Sequence, residues 1–379
     1  GRNAVVLVDE YDKPLLETME DDGLEEHNKA VFKGFFSTLK SYDHYLKFVF
    51  LTGVTKFSKI SIFSDLNQLR DISINKDYAG ICGITGDEIR KYLMPEVRLM
   101  AKDLGLDDPE CMEWLKKRYD GYHFHYNSDG LYNPFSLLNA LGDREFGSYW
   151  FESGTPTFIV NRLRKLNFDI KKFTDGTLFA KESALKDYRG DSADPVPLLY
   201  QSGYLTISGF DAKYRSYELG FPNEEVKYGF LESLAGTYDA DTEHSDPLSI
   251  TSFGADIENA DLESIRERFT AIFARLPYTT DDRPLEQNFQ NVIYIVFMLM
   301  GQYVHTEVHS AKGRADCIVE TDDYIYIFEF KRDGTAEEVL EQIETRGYAL
   351  PYAADKRELF KIGVNFDSEK RTITEWRVG

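Results

Sequence analysis

Two short runs near the C-terminal end limit the fold most tightly. Ala315–Val319 and Tyr324–Lys331 are strand-like, the second reading YIYIFEFK, and only Glu320–Asp323 separate them. β-Branched and aromatic residues at this density suit a pleated, buried surface. A two-residue turn at Asp322–Asp323 folds the runs into a hairpin. That turn sets the register. Asp316 and Glu329 lie equally far from it, so they stand directly opposite each other with side chains on one face. Lys331, two residues past Glu329, shares that face because strand side chains alternate.

Two carboxylates and an ammonium on one face of a hairpin describe either a surface ion pair or a site. The large apolar neighbours in YIYIFEFK favour burial, and two buried carboxylates are unstable together without a compensating cation. A divalent ion held by oxygen ligands compensates them, and Mg²⁺ fits best. Such a site activates a water for in-line attack on a phosphodiester, with Lys331 stabilising charge or positioning the water. The same register sets Arg314 opposite Lys331. Either the first strand begins after Arg314, or both cations face a phosphate.

The flanking segments read as helices. Asp281–Pro284 is a helix start, followed by Phe289, Val292, Ile293, Val296 and Phe297 on one apolar side. Glu286 falls in the first turn, where it either compensates the helix dipole or reaches the site. After the hairpin, Thr335-x-x-Glu338 forms a capping box, and Val339, Ile343 and Gly347 line one face of the next helix. Gln342, beside that stripe, is either an ordinary surface residue or a group aimed into the site. In this order, Glu286 on a helix, Asp316, Glu329-x-Lys331 and Gln342 on the next helix, the segment resembles the PD-(D/E)XK nuclease superfamily. The resemblance implies a small mixed sheet flanked by helices and Mg²⁺-dependent phosphodiester hydrolysis. It gives metal binding or general-base work to Glu286, Asp316 and Glu329, makes Lys331 the catalytic lysine, and adds Gln342 to the set.

The N-terminal end has its own signal. Ala4–Val8 is a continuous apolar run that suits a strand buried on both faces, and Asp9 and Glu10 follow it directly. This is the layout of a Walker B element, which delivers Asp to the Mg²⁺ of a nucleotide and Glu to the attacking water. Taken alone, it equally describes any buried parallel strand that ends in acids. A second strand, Phe48–Thr52, ends in Thr52, placed to sense a γ-phosphate. No G-x-x-x-x-G-K-[ST] occurs in the sequence, so the phosphates have no cradle and the chain as it stands is expected to bind ATP poorly or not at all. VVLVDEYDKPL, FLTGVTKFSKISIFSDLNQL, YDGYHF, LYNPFSLLNAL, LLYQSGYLTI and LGFPNEEVK, in that order, look like the bacterial AAA-ATPase-like proteins that carry a C-terminal PD-(D/E)XK nuclease domain. That resemblance implies a phosphate-binding loop before the DEYD strand, so a further segment is expected ahead of Gly1, and ATP is a cofactor only with that loop. Asp9 and Glu10 then match the Walker B acids, and Thr52 the sensor-like position. Tyr119–Phe124 and Tyr132–Phe135 read as packing and turn residues of lid and winged-helix-like regions.

The expected fold class is therefore α/β. It comprises a partial AAA/P-loop-like parallel sheet core at 1–80, a helical and winged-helix-like middle region at 81–238, and a restriction-endonuclease-like mixed α/β domain at 262–379. An acidic linker at 239–261 joins the last two. It falls in the stretch between Lys227 and Arg266, which has no Lys or Arg and nine acids. Acidic residues outnumber basic ones 65 to 44, a net charge of −21, which excludes a protein that coats nucleic acid through bulk charge. It leaves room for an enzyme that meets DNA or RNA at one local site. The three cysteines, Cys82, Cys111 and Cys317, form no disulfide framework or zinc pattern and indicate a reducing, cytoplasmic setting. The longest apolar run, Val292–Met300, is too short to span a bilayer, so no membrane partner is expected. The leading function is a Mg²⁺-dependent nuclease fused to an ATPase-like module, with association between copies left open. The alternative is a non-catalytic regulatory or interaction protein in which both sites are vestigial. From Glu286 onward, 17 acidic against 11 basic residues suit it better than they suit gripping a polyanion.

Overall fold

A computed structural model describes residues 3–16, 18, 22–54, 69–152, 159–160, 162–163, 166, 168–173, 178–186, 194–238, 250–274, 282–302, 305–308, 316–370 and 372–379. Of these, residues 16, 22, 152, 237–238, 282–288 and 305–308 are described through the backbone alone. The chain divides into two compact units, residues 1–153 with 176–227, and residues 154–175 with 228–379.

In the first unit, β1 (Ala4–Val8) pairs in parallel with β2 (Leu46–Leu51), Val5 opposite Phe48 and Val8 opposite Leu51. The connection is α1 (Asp22–Ser41), which buries Phe36 near the ring of Tyr11. The apolar run of β1 is not covered on both faces as expected: Val5 is 56% and Leu7 69% exposed. Among the described residues this sheet has two strands, and a two-stranded ribbon has too little width to carry a helical layer on each side. Three helices follow, α2 (Met94–Leu104), α3 (Asp108–Tyr119) and α4 (Pro134–Asp143). Asp107 and Asn133 cap α3 and α4 by accepting from the N–H groups of Glu110 and Phe135, and Gly105 ends α2 in the left-handed conformation. Their apolar faces, among them Val97, Met100, Leu115, Tyr119 and Leu137, form one core. A three-stranded antiparallel sheet completes the unit: β3 (Phe179–Lys181), β4 (Thr206–Asp211) and β5 (Ser216–Gly220), in the order β3-β5-β4.

The helix α5 (Glu224–Tyr238) carries the chain across the unit boundary. The second unit then has α6 (Ile250–Glu258), α7 (Leu262–Ala274) and α8 (Asp282–Met300). The expected acidic connection thus contains a helix, because Ile250, Phe253 and Ile257 recur at helical spacing and are buried; residues 239–249 lie outside the described residues. Five strands form one mixed sheet: β6 (His305–Val308), β7 (Cys317–Glu320), β8 (Tyr324–Arg332), β9 (Glu358–Asp367) and β10 (Thr372–Val378), in the order β10-β9-β8-β7-β6. Among the described residues of this sheet only β8 and β9 pair in parallel, joined by α9 (Ala336–Arg346). β6 was not foreseen from sequence. β8 is central and covered on both faces, which is why YIYIFEFK has no polar alternation before Glu329. Phe328 and Phe330 meet Phe269 of α7 and Phe297 of α8, while Ile325 and Ile327 meet Ile343 of α9. No helix among the described residues is long and apolar enough to cross a membrane.

Candidate active site

The Asp322–Asp323 turn is the one the sequence predicts. Thr321 N–H donates to Tyr324 O at 2.9 Å, and Cys317 lies opposite Phe328 and Ile318 opposite Ile327. Asp316 stands just before β7 and continues this register. Its N–H donates to Glu329 Oε2 at 3.1 Å, and its own Oδ2 accepts the Phe330 N–H at 2.9 Å. The two carboxylates are therefore locked to each other through the backbone.

Glu329 shares its face of β8 with Ile325 and Ile327, under α9, and is only 6% exposed. Gln342 Nε2 donates to its Oε1. Lys331, about half exposed, pairs with Glu338. Two strand residues span about 6.6 Å and four helical residues about 6 Å, so β8 and α9 run in step. Glu329 meets Gln342 and Lys331 meets Glu338 in consecutive rungs. Gly363 of β9, opposite Glu329, permits this approach: a Cβ there would lie 2.7 Å from the Ala336 carbonyl oxygen at the start of α9. Thr335 caps α9, its Oγ1 accepting from Glu338 N–H at 3.2 Å, while the Glu338 side chain pairs with Lys331 instead of closing the expected capping box.

Several supporting residues carried no sequence signal. Asn365, buried beside Lys331 on β9, accepts the Gly334 N–H at 2.8 Å and donates to Thr374, fixing the turn between β8 and α9. Glu375 of β10 accepts from Ala336 N–H at 2.8 Å. The ammonium of Lys171, some 145 residues before Asp316, acts electrostatically on that carboxylate. Its segment is held against α8 by Asn291, which accepts the Ile170 N–H at 3.3 Å and donates to Phe168 O at 2.9 Å. Glu286 is the fifth residue of α8, just past the first turn in which it was expected, and its side chain lies outside the described residues, as does Arg314.

The electrostatics follow from this enclosure. Burial, followed by the charge of Asp316, pushes the Glu329 carboxyl up to about 7. Burial also raises Asp316, opposed by the Phe330 N–H and the Lys171 charge. Among the described residues no group of three or more His, Cys, Asp or Glu side chains converges on one point. Two adjacent carboxylates, each held above its ordinary range, are nevertheless a fitting oxygen donor set for Mg²⁺, which commonly takes one or two protein carboxylates and keeps several waters.

A stability prediction follows without any metal. An unfolded Glu ionises near 4.5, whereas folded Glu329 holds its proton to about 7. Below pH 4.5 both states are protonated. Between 4.5 and 7 the unfolded state loses the proton first, so stability falls as pH rises, by about 3 kcal/mol in all, and is level above 7. With chelator present, the urea midpoint of wild type should fall relative to Glu329→Gln across this window. Parallel curves would show that Glu329 titrates normally.

The N-terminal candidates also converge. Thr52 Oγ1 donates to Asp9, and Glu10 N–H donates to Asp9 Oδ1 at 3.0 Å and Thr52 Oγ1 at 3.3 Å. Glu10 adopts a left-handed φ of 49° and pairs with Lys13 at 3.4 Å. Asp12, not singled out in the sequence, is fully buried and accepts the Val54 N–H at 3.1 Å.

Comparison with known proteins gives two family matches. Residues 1–63 match the family described as predicted AAA-ATPase, and residues 285–376 match the PD-(D/E)XK nuclease superfamily. An uncharacterized protein in the vnfD 5′ region of Azotobacter chroococcum mcd 1 is 33% identical over 390 residues, which covers 98% of this chain and 71% of the relative. No solved structure matches.

Proposed function

This chain belongs to the family in which a predicted AAA-ATPase-like region precedes a PD-(D/E)XK nuclease superfamily domain, and on that premise we propose that it hydrolyses nucleic-acid phosphodiesters with Mg²⁺ at Asp316, Glu329 and Lys331. The observation that carries the reading is the buried Glu329 joined across the hairpin to the partly buried Asp316, with a lysine two residues along the same strand face. Asp316 and Glu329 are the ligands, with Glu286, near the start of α8, the third candidate. When bound, Mg²⁺ relieves the repulsion between the carboxylates and stabilises negative charge growing on the phosphate.

The residues around the pair prepare it. Gln342 holds Glu329 Oε1, and the Asp316 N–H holds Oε2, so the carboxylate is fixed in orientation. Phe330 N–H occupies Asp316 Oδ2 and leaves Oδ1 for coordination. The Lys331 ammonium, on the same strand face, exchanges Glu338 for a non-bridging phosphate oxygen. There it stabilises the transition state as the water oxygen bonds phosphorus and the ester bond breaks. In the N-terminal module Asp9 and Glu10 take the Walker B roles with Thr52 beside them. Nucleotide binding there additionally needs a glycine-rich phosphate cradle. DNA and RNA are both candidate substrates.

The test is cleavage of labelled single- and double-stranded DNA and RNA by the full chain with Mg²⁺. Lys331→Ala should lower the rate by roughly 10²–10³-fold, in line with removal of one charge-stabilising donor. Glu338→Gln should retain cleavage, because Glu338 only holds the lysine at rest. Wild-type rates from Lys331→Ala, or cleavage that persists in chelator, would overturn the assignment.

A further inference from the structure

The nuclease reading leaves unused a cavity of about 310 Å³ in the first unit, where β3 and the β4–β5 hairpin end. This volume is at the lower end of the range for small-ligand sites and suits one planar ring system with its substituent outside. Its walls include the rings of Phe210, Tyr214 and Tyr217, and the charged groups at its rim are Lys181, Arg215 and Glu182. Phe210 is backed by a stacked column, Tyr126 at 4.5 Å and His125 a further 4.4 Å behind Tyr126. Tyr214, at the hairpin tip, is 64% exposed, with Lys213 over its ring at 4.9 Å.

The charges there have an unusual balance for this chain. Acids outnumber bases 65 to 44 overall, yet among the described residues Lys181, Lys213 and Arg215 are exposed and make no ion pair. Of the nearby acids, Glu182 and Asp211 are engaged, and Glu218 of β5 lies opposite Phe179. Glu182 pairs with Lys186 at 2.6 Å, and its charge acts on the Tyr217 hydroxyl. Asp211 Oδ1 accepts the N–H groups of Lys213 and Tyr214 and so shapes the tip. What remains available is flat aromatic surface beside the exposed cations Lys181, Lys213 and Arg215. That combination recognises an aromatic ring carrying a phosphate.

We infer that this cavity receives one nucleotide of a single-stranded nucleic acid, its base against the Phe210 and Tyr214 rings and its phosphate against Lys181 and Arg215. The choice of a strand over a free nucleotide rests on the nuclease reading, since a polynucleotide is the substrate which that reading implies. An acidic peptide would use the cations but leave the aromatic walls without a planar partner.

The experiment is fluorescence anisotropy of the full chain with a labelled dT₁₂ oligonucleotide in chelator, so that binding is read without cleavage. Tyr214→Ala should raise Kd about 5- to 10-fold. The double variant Lys181→Ala/Arg215→Ala should do the same and flatten the salt dependence by between one and two counterions. All three residues are exposed, so the circular-dichroism melt should not move. Millimolar dTMP and poly-glutamate should compete weakly. Unchanged Kd values in these variants, no dT₁₂ binding by wild type, or dTMP or poly-glutamate binding as tightly as dT₁₂ would each overturn the proposal. The two readings separate cleanly: variant-sensitive binding without Mg²⁺-dependent cleavage keeps this site and discards the nuclease, and cleavage with variant-insensitive binding does the reverse.

Discussion

Glu329→Gln should lower Mg²⁺-dependent cleavage by at least about 10³-fold, equivalent to about 4 kcal/mol of transition-state stabilisation, while leaving the metal-free protein no less stable than wild type at pH 8. The two effects have one cause. Glu329 is buried against Asp316 and is pushed up to about 7, so at pH 8 the folded state carries a charge pair that it would be more stable without. The amide keeps the shape of the side chain, its oxygen accepting the Asp316 N–H and its NH₂ donating to Gln342 once that amide turns over, but it supplies no charge to a divalent ion. Strain retained for function in this way is the usual basis of a stability–activity trade-off. The checks are a single-turnover cleavage assay and urea denaturation of the same preparation. Activity retained within tenfold would remove Glu329 from the site. Activity lost together with a large fall in midpoint would make the residue structural instead.

Phe269→Ala should destabilise the second unit by about 3–5 kcal/mol, the range for a large aromatic removed from a core. Phe269 is fully buried on α7, and its ring centroid lies within 6.2 Å of those of Phe253, Phe273, Phe297, Phe328, Phe330 and Trp376. Those partners come from α6, α7, α8, β8 and β10, so no single neighbour can move to fill the gap. Whole domains are stable by only about 5–15 kcal/mol, so most of the margin would disappear. Phe269→Leu, which leaves a smaller cavity, should have less than half the effect. Because Phe328 and Phe330 flank Glu329 on β8, residual cleavage should also drop at temperatures where the variant is still folded. A urea midpoint shift worth less than about 1 kcal/mol would show that the aromatic layer repacks freely and does not support the strand.

The candidate site was legible where its geometry is local. A two-residue turn and a period of two were enough to put Asp316 opposite Glu329, and the structure has that register. Gln342 was open between surface and site; its amide reaches Glu329 because α9 crosses directly from β8 to β9 over a glycine. Lys331 was expected on the Glu329 face but its resting partner, Glu338, was read only as part of a cap. In the N-terminal unit Asp9, Glu10 and Thr52 do meet at the strand ends. The burial of β1 on both faces did not follow, because the apolar run in the sequence says nothing about how many strands flank it. The helix at Ile250–Glu258 was masked by the surrounding acids, although three buried apolar residues at helical spacing mark it.

The sequence alone thus determined the hairpin, its register, the Glu329-x-Lys331 face, the helix starts and the acidic end of β1. All of these depend on alternation, turn chemistry and capping within a few residues. Only the tertiary structure decided how acidic Glu329 is, what holds Lys331, and that Lys171 acts on Asp316. Those properties arise from burial and charge brought together from distant parts of the chain. Local residue order does not encode the dielectric and partners that the folded neighbours supply.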